Sequence, residues 1–422
     1  MSLREKDRQF VWHPFTQMKT SGDALAIVSG KGSLIFDEDG RSYIDAIASW
    51  WVNLHGHAHP HITKKVHEQM QKLDHIPFAG FTHKPAVELC ERLSKILPSN
   101  QAKFFFSGDG SSAVEIALKM SVQYWRNKGE SRTRIIALDG GYHGETFGAM
   151  SAGARSIFSA HFNDFLFDVD HISFPGDGEK CVADFKSELE KGGVAAFIFE
   201  PLVQGAGGMR MYSPEVLDKL ISLAHEYGVL CIADEVMTGF GRTGKLFASN
   251  HLYEKPDFMC MSKGLSGGTM PLSLTTCTQE IYDAFLGDDI TTAFLHGHSF
   301  TGNPVGCASA IASLDLLESS NCADSISRIV DRHSEFALKV KEHVMVDDVR
   351  QMGTIIALDL KDDKSGYASE VRDILYNHFI SEGVLLRPLG NVIYILPPYC
   401  ITDEELEKVY NCVLTGLDRI AI

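Results

Sequence analysis

Short apolar runs and amphipathic stretches alternate through the middle of the chain. Five runs have the length and the aliphatic or aromatic content of buried strands: residues 103–106, 134–138, 194–199, 229–233 and 257–261. Helical spacing marks 112–125, which starts with a capping-box pattern from Ser112 to Glu115, and 214–227, which ends before Gly228. This alternation predicts an α/β protein with a mostly parallel sheet covered on both faces.

The pattern changes beyond residue 310. Charged helical stretches there surround two strand-like runs, 354–360 and 392–396, and a closing amphipathic helix is predicted at 404–417. We therefore predict a large domain at 51–310 and a smaller α/β domain at 311–422. The N-terminal segment, 1–50, is predicted to pack with the small domain.

Composition and charge exclude several classes of protein. The chain has 422 residues, of which 44% are hydrophobic and 22% charged, as in a globular protein of two or three domains. Its 39 basic and 55 acidic side chains give a net charge of −16, which disfavours nucleic acid and anionic lipid as partners. No apolar run approaches the ~18 residues of a membrane span, and residues 1–7 lack the apolar core of a signal peptide. Nine cysteines without a C-x-x-C pair predict reduced thiols in a cytoplasmic protein.

Polar residues follow each predicted strand, at the edge where an open parallel sheet binds its ligands. The first strand is followed by a loop, 107–112, that carries Gly108, Gly110 and Ser111 and leads into a helix. Free backbone N–H groups and the helix dipole at such a point favour a phosphate. An ordinary strand-to-helix turn with a serine cap is the alternative.

Two charged residues end apolar strands where burial is expected. Asp234 follows the fourth strand and needs a cationic partner, for which Arg242 is a candidate. Lys263 follows the fifth strand, and a lysine in such a place is either used covalently or extends its amine to solvent. The sequence therefore predicts a site in which this lysine and this aspartate face each other, with simple ion pairing as the alternative.

A run of alternating histidines, His55, His57, His59 and His61, would share one face of a strand and could bind zinc. Gly56 and Pro60 interrupt any such strand, and no clustered carboxylate accompanies the run. We therefore predict no metal site. The adjacent Trp50 and Trp51 would point in opposite directions on a strand, so that one of them could line a pocket.

Three segments resemble the class III aminotransferases. They are Phe-Ile-Phe-Glu-Pro at 197–201, Asp-Glu-Val-Met-Thr-Gly-Phe-Gly-Arg-Thr-Gly at 234–244, and Ser-Lys-Gly at 262–264. The similarity runs over nearly the whole chain. Within that class the chain is most similar to the members that act in biotin synthesis, through segments 12–16, 49–51, 141–144, 204–209, 267–270 and 387–388.

The resemblance implies a fold type I pyridoxal 5'-phosphate enzyme that works as a homodimer, with both active sites at the subunit interface. Lys263 would hold the cofactor as a Schiff base, Asp234 would pair with its pyridine nitrogen, and Tyr142 would stack on its ring. Further cofactor contacts would come from Gly110, Ser111, His143 and, toward the partner subunit's phosphate, Ser299. The substrate pocket would be lined by Phe15, Trp50, Trp51, Tyr394 and Arg387. Of these residues, Arg387 would receive a substrate carboxylate.

The implied reaction converts 8-amino-7-oxononanoate to 7,8-diaminononanoate with S-adenosylmethionine as the amino donor. Three residues at two places depart from the usual pattern, since Phe15 replaces a tyrosine and His298 and Ser299 replace a proline and a threonine. These changes leave lysine open as the amino donor. The sequence is also compatible with a different class III ω-aminotransferase, with a metal-dependent hydrolase that uses the histidine run, and with a non-catalytic binding protein.

Overall fold

The computed structural model describes residues 1–361 and 371–421. Its strands are β1 (Ile27–Lys31), β2 (Leu34–Asp37), β3 (Ser42–Asp45), β4 (Lys103–Ser107), β5 (Arg134–Leu138), β6 (Asp170–Ile172), β7 (Val194–Phe199), β8 (Val203–Gln204), β9 (Arg210–Met211), β10 (Leu230–Asp234), β11 (Phe258–Met261), β12 (Ser273–Cys277), β13 (Val346–Met352), β14 (Ile355–Leu360), β15 (Val384–Leu385) and β16 (Val392–Ile395).

Helices pack on both faces of the large sheet and also occur toward both ends of the chain. They are α1 (Leu3–Phe10), α2 (Ala48–Trp51), α3 (Pro60–Met70), α4 (Lys84–Ile96), α5 (Gly110–Asn127), α6 (Phe147–Ala152), α7 (Gly178–Glu190), α8 (Pro214–Glu226), α9 (Gln279–Asp283), α10 (Pro304–Leu317), α11 (Ser320–Val340), α12 (Val371–Ser381) and α13 (Asp403–Ile420). No helix within the described residues is long and apolar enough to cross a membrane.

The central sheet has seven strands in the order β4-β12-β11-β10-β7-β5-β6. Four of its pairings are parallel, and β12 runs antiparallel to both of its neighbours. The prediction of a mostly parallel sheet is therefore confirmed. All five predicted strands form within a residue of their predicted ends, so their carboxyl ends meet at one edge of the sheet.

Alternate residues of the sheet enter two different hydrophobic cores. On β10, Cys231 and Ala233 belong to the larger core, while Leu230 and Ile232 face the smaller core beneath α5. A strand that is apolar on both sides must be covered on both faces, because side chains alternate across it. The apolar run that predicted this strand is continuous because both faces of the strand are buried.

The two ends of the chain meet in a smaller sheet of order β1-β2-β3-β15. Its strand β3 pairs in parallel with β15, where Ile44 lies opposite Val384. A second small sheet, β13-β14-β16, contains the two strands predicted at 354–360 and 392–396. This pairing is in line with the predicted packing of the N-terminal segment against C-terminal residues. The domain limits at 50 and 310 stay a prediction. Residues 362–370 and 422, which belong to the predicted small domain, lie outside the described residues.

Two local predictions are wrong. α5 begins at Gly110, and its N-cap is Asp109, whose side chain accepts the N–H of Ser112, so the predicted capping box at Ser112 does not form. The tryptophans do not lie on a strand either. They belong to α2, where Ala48, Ser49, Trp50 and Trp51 all have positive φ, between 47° and 75°, so this single turn is left-handed. Sequence periodicity carries no signal for such a turn, because it depends on contacts from distant residues.

Candidate active site

The residues that end β4, β5, β7, β10 and β11 surround a cavity of about 630 Å³ at the carboxyl edge of the central sheet. The cavity is lined by Trp51, Val52, Gly108, Asp109, Gly110, Ser111, Tyr142, His143, Gly144, Glu145, Glu200, Asp234, Val236, Met237, Ser262, Lys263, Ser266, Gly268, Thr269, Met270, Pro271 and Leu272. The structure thus brings together six of the residues that the sequence predicted for cofactor binding. Of the residues predicted for substrate binding, Trp51 lies in the same cavity.

Asp234 is buried and bound to a histidine. Its Oδ2 lies 2.8 Å from Nδ1 of His143, and its Oδ1 accepts the backbone N–H of Val236 at 3.1 Å. Arg242, considered as its partner from the sequence, is instead bound to main-chain carbonyls, so that alternative is wrong. The carboxylate is therefore fixed by one imidazole and one amide, and its remaining lone pairs face the cavity.

Lys263 lies directly after β11 at the floor of the cavity, with φ at +45°. Burial lowers its pKa from 10.5 to about 8, although the nearby carboxylates of Asp234 and Glu200 act in the opposite direction. The ammonium lies 4.7 Å from the ring centre of Trp51. A lysine amine with a pKa this close to neutral is partly uncharged and can act as a nucleophile and a base.

Glu200 was not assigned a role from the sequence, yet it is part of the same cavity. It is buried, and it accepts the N–H of Tyr142 at 3.0 Å and the N–H of Gly205 at 2.9 Å. Burial raises its pKa from 4.5 to about 7. Its sequence signals were its position at a strand end beside Pro201 and its place in the 197–201 motif, and neither of these assigned it a chemical role.

Tyr142 forms one wall of the cavity. Glu200 holds its backbone, and burial raises the pKa of its hydroxyl, to which the side chain of Glu145 also contributes. The phenol therefore stays protonated at neutral pH, and its ring is about one-third exposed toward the cavity. An aromatic ring in this position can stack on a flat ligand.

The N-terminus of α5 opens on the opposite end of the cavity. A Cβ at Gly110 would approach Cγ1 of Val236 to 2.7 Å, so only glycine fits there. The Ser111 hydroxyl lies 2.7 Å from that of Thr146, which in turn donates to Glu115 at 2.5 Å. Glu115 also accepts the N–H groups of α6, and this bond explains why its predicted part in a capping box of α5 is not realised.

The residues named for substrate binding form a connected group, although only Trp51 lines the cavity itself. Trp51 contacts Tyr394 edge to face at 6.2 Å between ring centres. Trp50 contacts Phe15 in the same way at 5.5 Å, and the guanidinium of Arg387 lies 5.0 Å from the ring centre of Trp50. Phe15, Trp50 and Arg387 are exposed, whereas Tyr394 is buried on β16.

The left-handed turn α2 carries the two tryptophans, and its backbone is strained. A left-handed conformation costs roughly 1–2 kcal/mol for each residue with a Cβ, and four consecutive residues adopt it here. Such strain persists only where the surrounding structure enforces it. This turn was not predictable from the sequence.

Ser299 is the one predicted cofactor residue that lies outside the cavity. It is exposed, in a segment where the ring of the neighbouring His298 lies 3.6 Å from the position of a Cβ built on Gly108. The segment therefore passes the outer side of the loop before α5. Within one subunit it contributes no group to the cavity.

The histidine run does not converge on one point. His55 lies 3.0 Å from the hydroxyl of Ser313, His57 lies 2.9 Å from Asp45, and His61 lies 2.7 Å from Asp315. His59 caps the N-terminus of α3. Each of these imidazoles thus has its own structural role, and the run offers no support for the metal-dependent hydrolase.

A mostly parallel sheet with a lysine of lowered pKa and a buried aspartate at its carboxyl edge defines an enzyme of group transfer. The chain belongs to the class III aminotransferases: the family model "Aminotransferase class-III" matches residues 17–415. An adenosylmethionine-8-amino-7-oxononanoate aminotransferase from Synechococcus elongatus is 48% identical, over 97% of this chain and 99% of that protein.

Solved structures agree with this family. The crystal structure of adenosylmethionine-8-amino-7-oxononanoate aminotransferase from Methanocaldococcus jannaschii has a TM-score of 0.95 and 35% identity, and it covers 99% of this chain and 98% of that one. The ω-transaminase from Pseudomonas jessenii in complex with PMP has a TM-score of 0.93 and 26% identity over 99% and 98% of the two chains. The resemblance stated from the sequence motifs is therefore confirmed at the level of the family.

We predict that Glu200 makes stability depend on pH. Its pKa is higher in the folded protein, about 7, than the 4.5 of the free side chain, so the stability that it contributes is complete below pH 4.5 and is lost as pH rises through 7. Between pH 6 and pH 8 the free energy of unfolding should fall by about 1 kcal/mol through this group. Urea unfolding of Glu200→Gln should lack that part of the decrease.

The control for this measurement is Glu190→Gln, since Glu190 is exposed on α7. That variant should retain the full wild-type dependence on pH. Equal slopes for Glu200→Gln and the wild type would mean that Glu200 is already ionised at pH 6.

Proposed function

We propose that this protein transfers an amino group to the keto carbon of 8-amino-7-oxononanoate and forms 7,8-diaminononanoate, as in biotin synthesis. The observation that carries the proposal is that Lys263, with its pKa of about 8, and the buried Asp234 line the same cavity. The names and the high identity of the relatives supply the substrate.

We propose pyridoxal 5'-phosphate as the cofactor, because the residues of the cavity fit each of its parts. Lys263 has no hydrogen-bond partner among residues 1–361 and 371–421 and is free to hold an aldehyde carbon. Asp234 offers its cavity-facing oxygens to a protonated ring nitrogen, and Tyr142 offers a flat face to the ring. Gly110 and Ser111 would bind the phosphate with the N-terminus of α5, and His143 would act through Asp234.

When bound, such a cofactor accepts the electrons released at the substrate carbon that carries the amine. Asp234 keeps a proton on the ring nitrogen, where a positive charge is needed. Lys263 would take the proton from the substrate Cα and deliver it to the cofactor carbon on the far side of the substrate nitrogen, which its lowered pKa allows near neutral pH. Tyr142 and Trp51 close the cavity on two sides and limit the access of water.

The two substrates must use one pocket in turn. Arg387, exposed beside Trp50, would bind a carboxylate, and Phe15 extends the aromatic surface on the other side of the same ring. We propose S-adenosylmethionine as the amino donor, because a flat aromatic surface suits an adenosyl sulfonium through stacking and cation–π contact. The tyrosine hydroxyl that Phe15 lacks would be worth only about 0.5–1.5 kcal/mol.

We further propose that the enzyme is a homodimer in the cytoplasm. Large aromatic side chains, among them Phe10, Trp12 and Phe300, are exposed on the single subunit and would be covered by a second copy. The partner subunit's Ser299 would then reach the phosphate end of the cavity. All nine cysteines are free thiols, which agrees with a reducing compartment.

Lys263→Ala tests the reaction. The variant should remain folded and lose turnover by about three or more orders of magnitude, because the covalent anchor and the proton carrier are removed together. Conversion of 8-amino-7-oxononanoate to the diamine is measured by mass spectrometry. Near-normal turnover, or borohydride reduction that attaches the cofactor to another lysine, would overturn the assignment.

A single-turnover assay tests the donor. S-adenosylmethionine or lysine is added alone to the cofactor-loaded enzyme, and loss of the aldehyde-form absorbance of the cofactor is followed. We expect fast loss with S-adenosylmethionine and little with lysine. Fast loss with lysine alone would reverse the choice of donor and leave the rest of the proposal intact.

Mixed dimers test whether the active sites are shared. Ser299→Asp places a negative charge against the partner's phosphate, so this variant and Lys263→Ala should each be inactive as homodimers. If each site uses residues of both subunits, a mixed dimer of the two variants has one intact site and one site that carries both defects. Such a mixed dimer should therefore regain about half of the wild-type activity. No recovery in the mixed dimers, or full activity of a monomer, would contradict the shared site.

A further inference from the structure

The left-handed turn α2 is held by charged side chains at both of its ends. At its start, the carboxylate of Asp45 accepts the N–H of Ser49 at 2.9 Å and the hydroxyl of Ser49 at 2.7 Å. Asp45 is completely buried, and Nε2 of His57 lies 2.9 Å from the same Oδ2. One carboxylate thus accepts both hydrogen-bond donors of Ser49, a residue inside the strained turn.

The other end of the turn is held by a buried cation. Arg242 is 1% exposed, and its guanidinium donates to the carbonyl of Asn53 at 2.9 Å and to that of Pro397 at 2.7 Å, with a longer contact of 3.5 Å to Trp51. No carboxylate among the described residues forms an ion pair with it. A buried guanidinium bound mainly to carbonyls is costly, which indicates that its bonds to the chain after α2 are the reason for its position.

The turn determines where both tryptophan rings lie. Trp51 faces the amine of Lys263 at 4.7 Å, and Trp50 faces Arg387 at 5.0 Å and Phe15 at 5.5 Å. Two adjacent residues can present their rings to these two places because the backbone between them is left-handed. A relaxed backbone would move at least one ring away from its contact.

We propose that Asp45 and Arg242 are positioning residues, which hold α2 in its left-handed form from its two ends and thereby place Trp50 and Trp51 for substrate binding. This inference rests on the proposed function only for the identity of the substrate. Neither residue touches the cavity, so both act through the tryptophans.

Ser49 gives the sharpest test of the part of Asp45, because two substitutions there separate the hydrogen bond from the strain. Ser49→Ala removes the hydroxyl bond to Asp45 and keeps a Cβ in the left-handed region. Ser49→Gly removes the same bond, but glycine adopts positive φ without strain. If the bond holds the turn, glycine should repair what alanine damages.

The expected results follow from the fraction of molecules that have the turn in place. Loss of one charge-assisted hydrogen bond should lower the equilibrium constant for forming the turn in Ser49→Ala by about 10- to 100-fold. The KM for 8-amino-7-oxononanoate should therefore rise by up to about tenfold as the fraction of molecules with the turn in place falls. The kcat should stay within about twofold, because Lys263 and Asp234 are unchanged. Ser49→Gly should return KM to within about threefold of the wild type.

The matched control is Ser173→Ala, which also removes a serine hydroxyl bound to a carboxylate, that of Asp184 at 2.6 Å. It should change neither KM nor kcat. A purely stabilising role of the Asp45 bond would lower Tm in Ser49→Ala and Ser173→Ala alike without changing KM, and that result would overturn the inference.

A second readout does not require turnover. The near-ultraviolet circular dichroism of the tryptophans, recorded well below Tm, should weaken in Ser49→Ala and recover in Ser49→Gly. An unchanged signal in both variants would contradict the inference even if no substrate were known. By contrast, a wild-type enzyme that fails to convert 8-amino-7-oxononanoate would contradict the proposed function alone.

Arg242→Lys tests the other end of the turn. Lysine keeps the charge, but a single ammonium cannot reproduce the fork of the guanidinium toward two carbonyls. The KM should rise by about tenfold or more with little change in kcat, and adding Ser49→Gly should restore only part of it, because the carbonyls of Asn53 and Pro397 stay without their donor. An unchanged KM in a folded Arg242→Lys variant would remove Arg242 from the proposal.

Discussion

The site depends on charged groups that are buried without a direct ion-pair partner. Burial lowers the pKa of the Lys263 amine, and it raises the pKa of the Glu200 carboxyl. In a medium of low polarity such groups shift toward their neutral forms, so the lysine and Glu200 both titrate near neutral pH. A conventional salt bridge between the lysine and either carboxylate would have left the amine fully charged and unreactive.

The sheet provides the geometry that keeps these charges apart. Glu200 directly follows β7, Asp234 is the last residue of β10, and Lys263 lies two residues beyond the end of β11, so the three side chains come from neighbouring parallel strands. The imidazole of His143, from the loop after β5, lies 2.8 Å from Oδ2 of Asp234 and holds that carboxylate in place. Burial of Lys263 and Glu200 among the residues around the cavity shifts their pKa values.

Close packing of glycines connects the two ends of the cavity. A Cβ on Gly144 would approach Oγ of Ser111 to 2.3 Å, and one on Gly148 would approach Oε2 of Glu115 to 2.2 Å. The loop that carries Tyr142 and His143 therefore lies directly on α5. The Tyr142 wall of the cavity and the N-terminus of α5 are therefore packed against each other.

The sequence by itself determined the elements and residues whose signal is local. Runs such as 194–199 are short, apolar on both faces and typical of central strands. The polar residues that follow these runs, Asp234 and Lys263 among them, lie at the same edge of a parallel sheet. Motif similarity added the family. The tertiary structure alone decided the left-handed turn at Trp50, the binding of Arg242 to carbonyls instead of Asp234, and the use of Glu115 by α6. Each of these depends on groups that are distant in sequence, and a local pattern cannot report which buried donor will meet which acceptor.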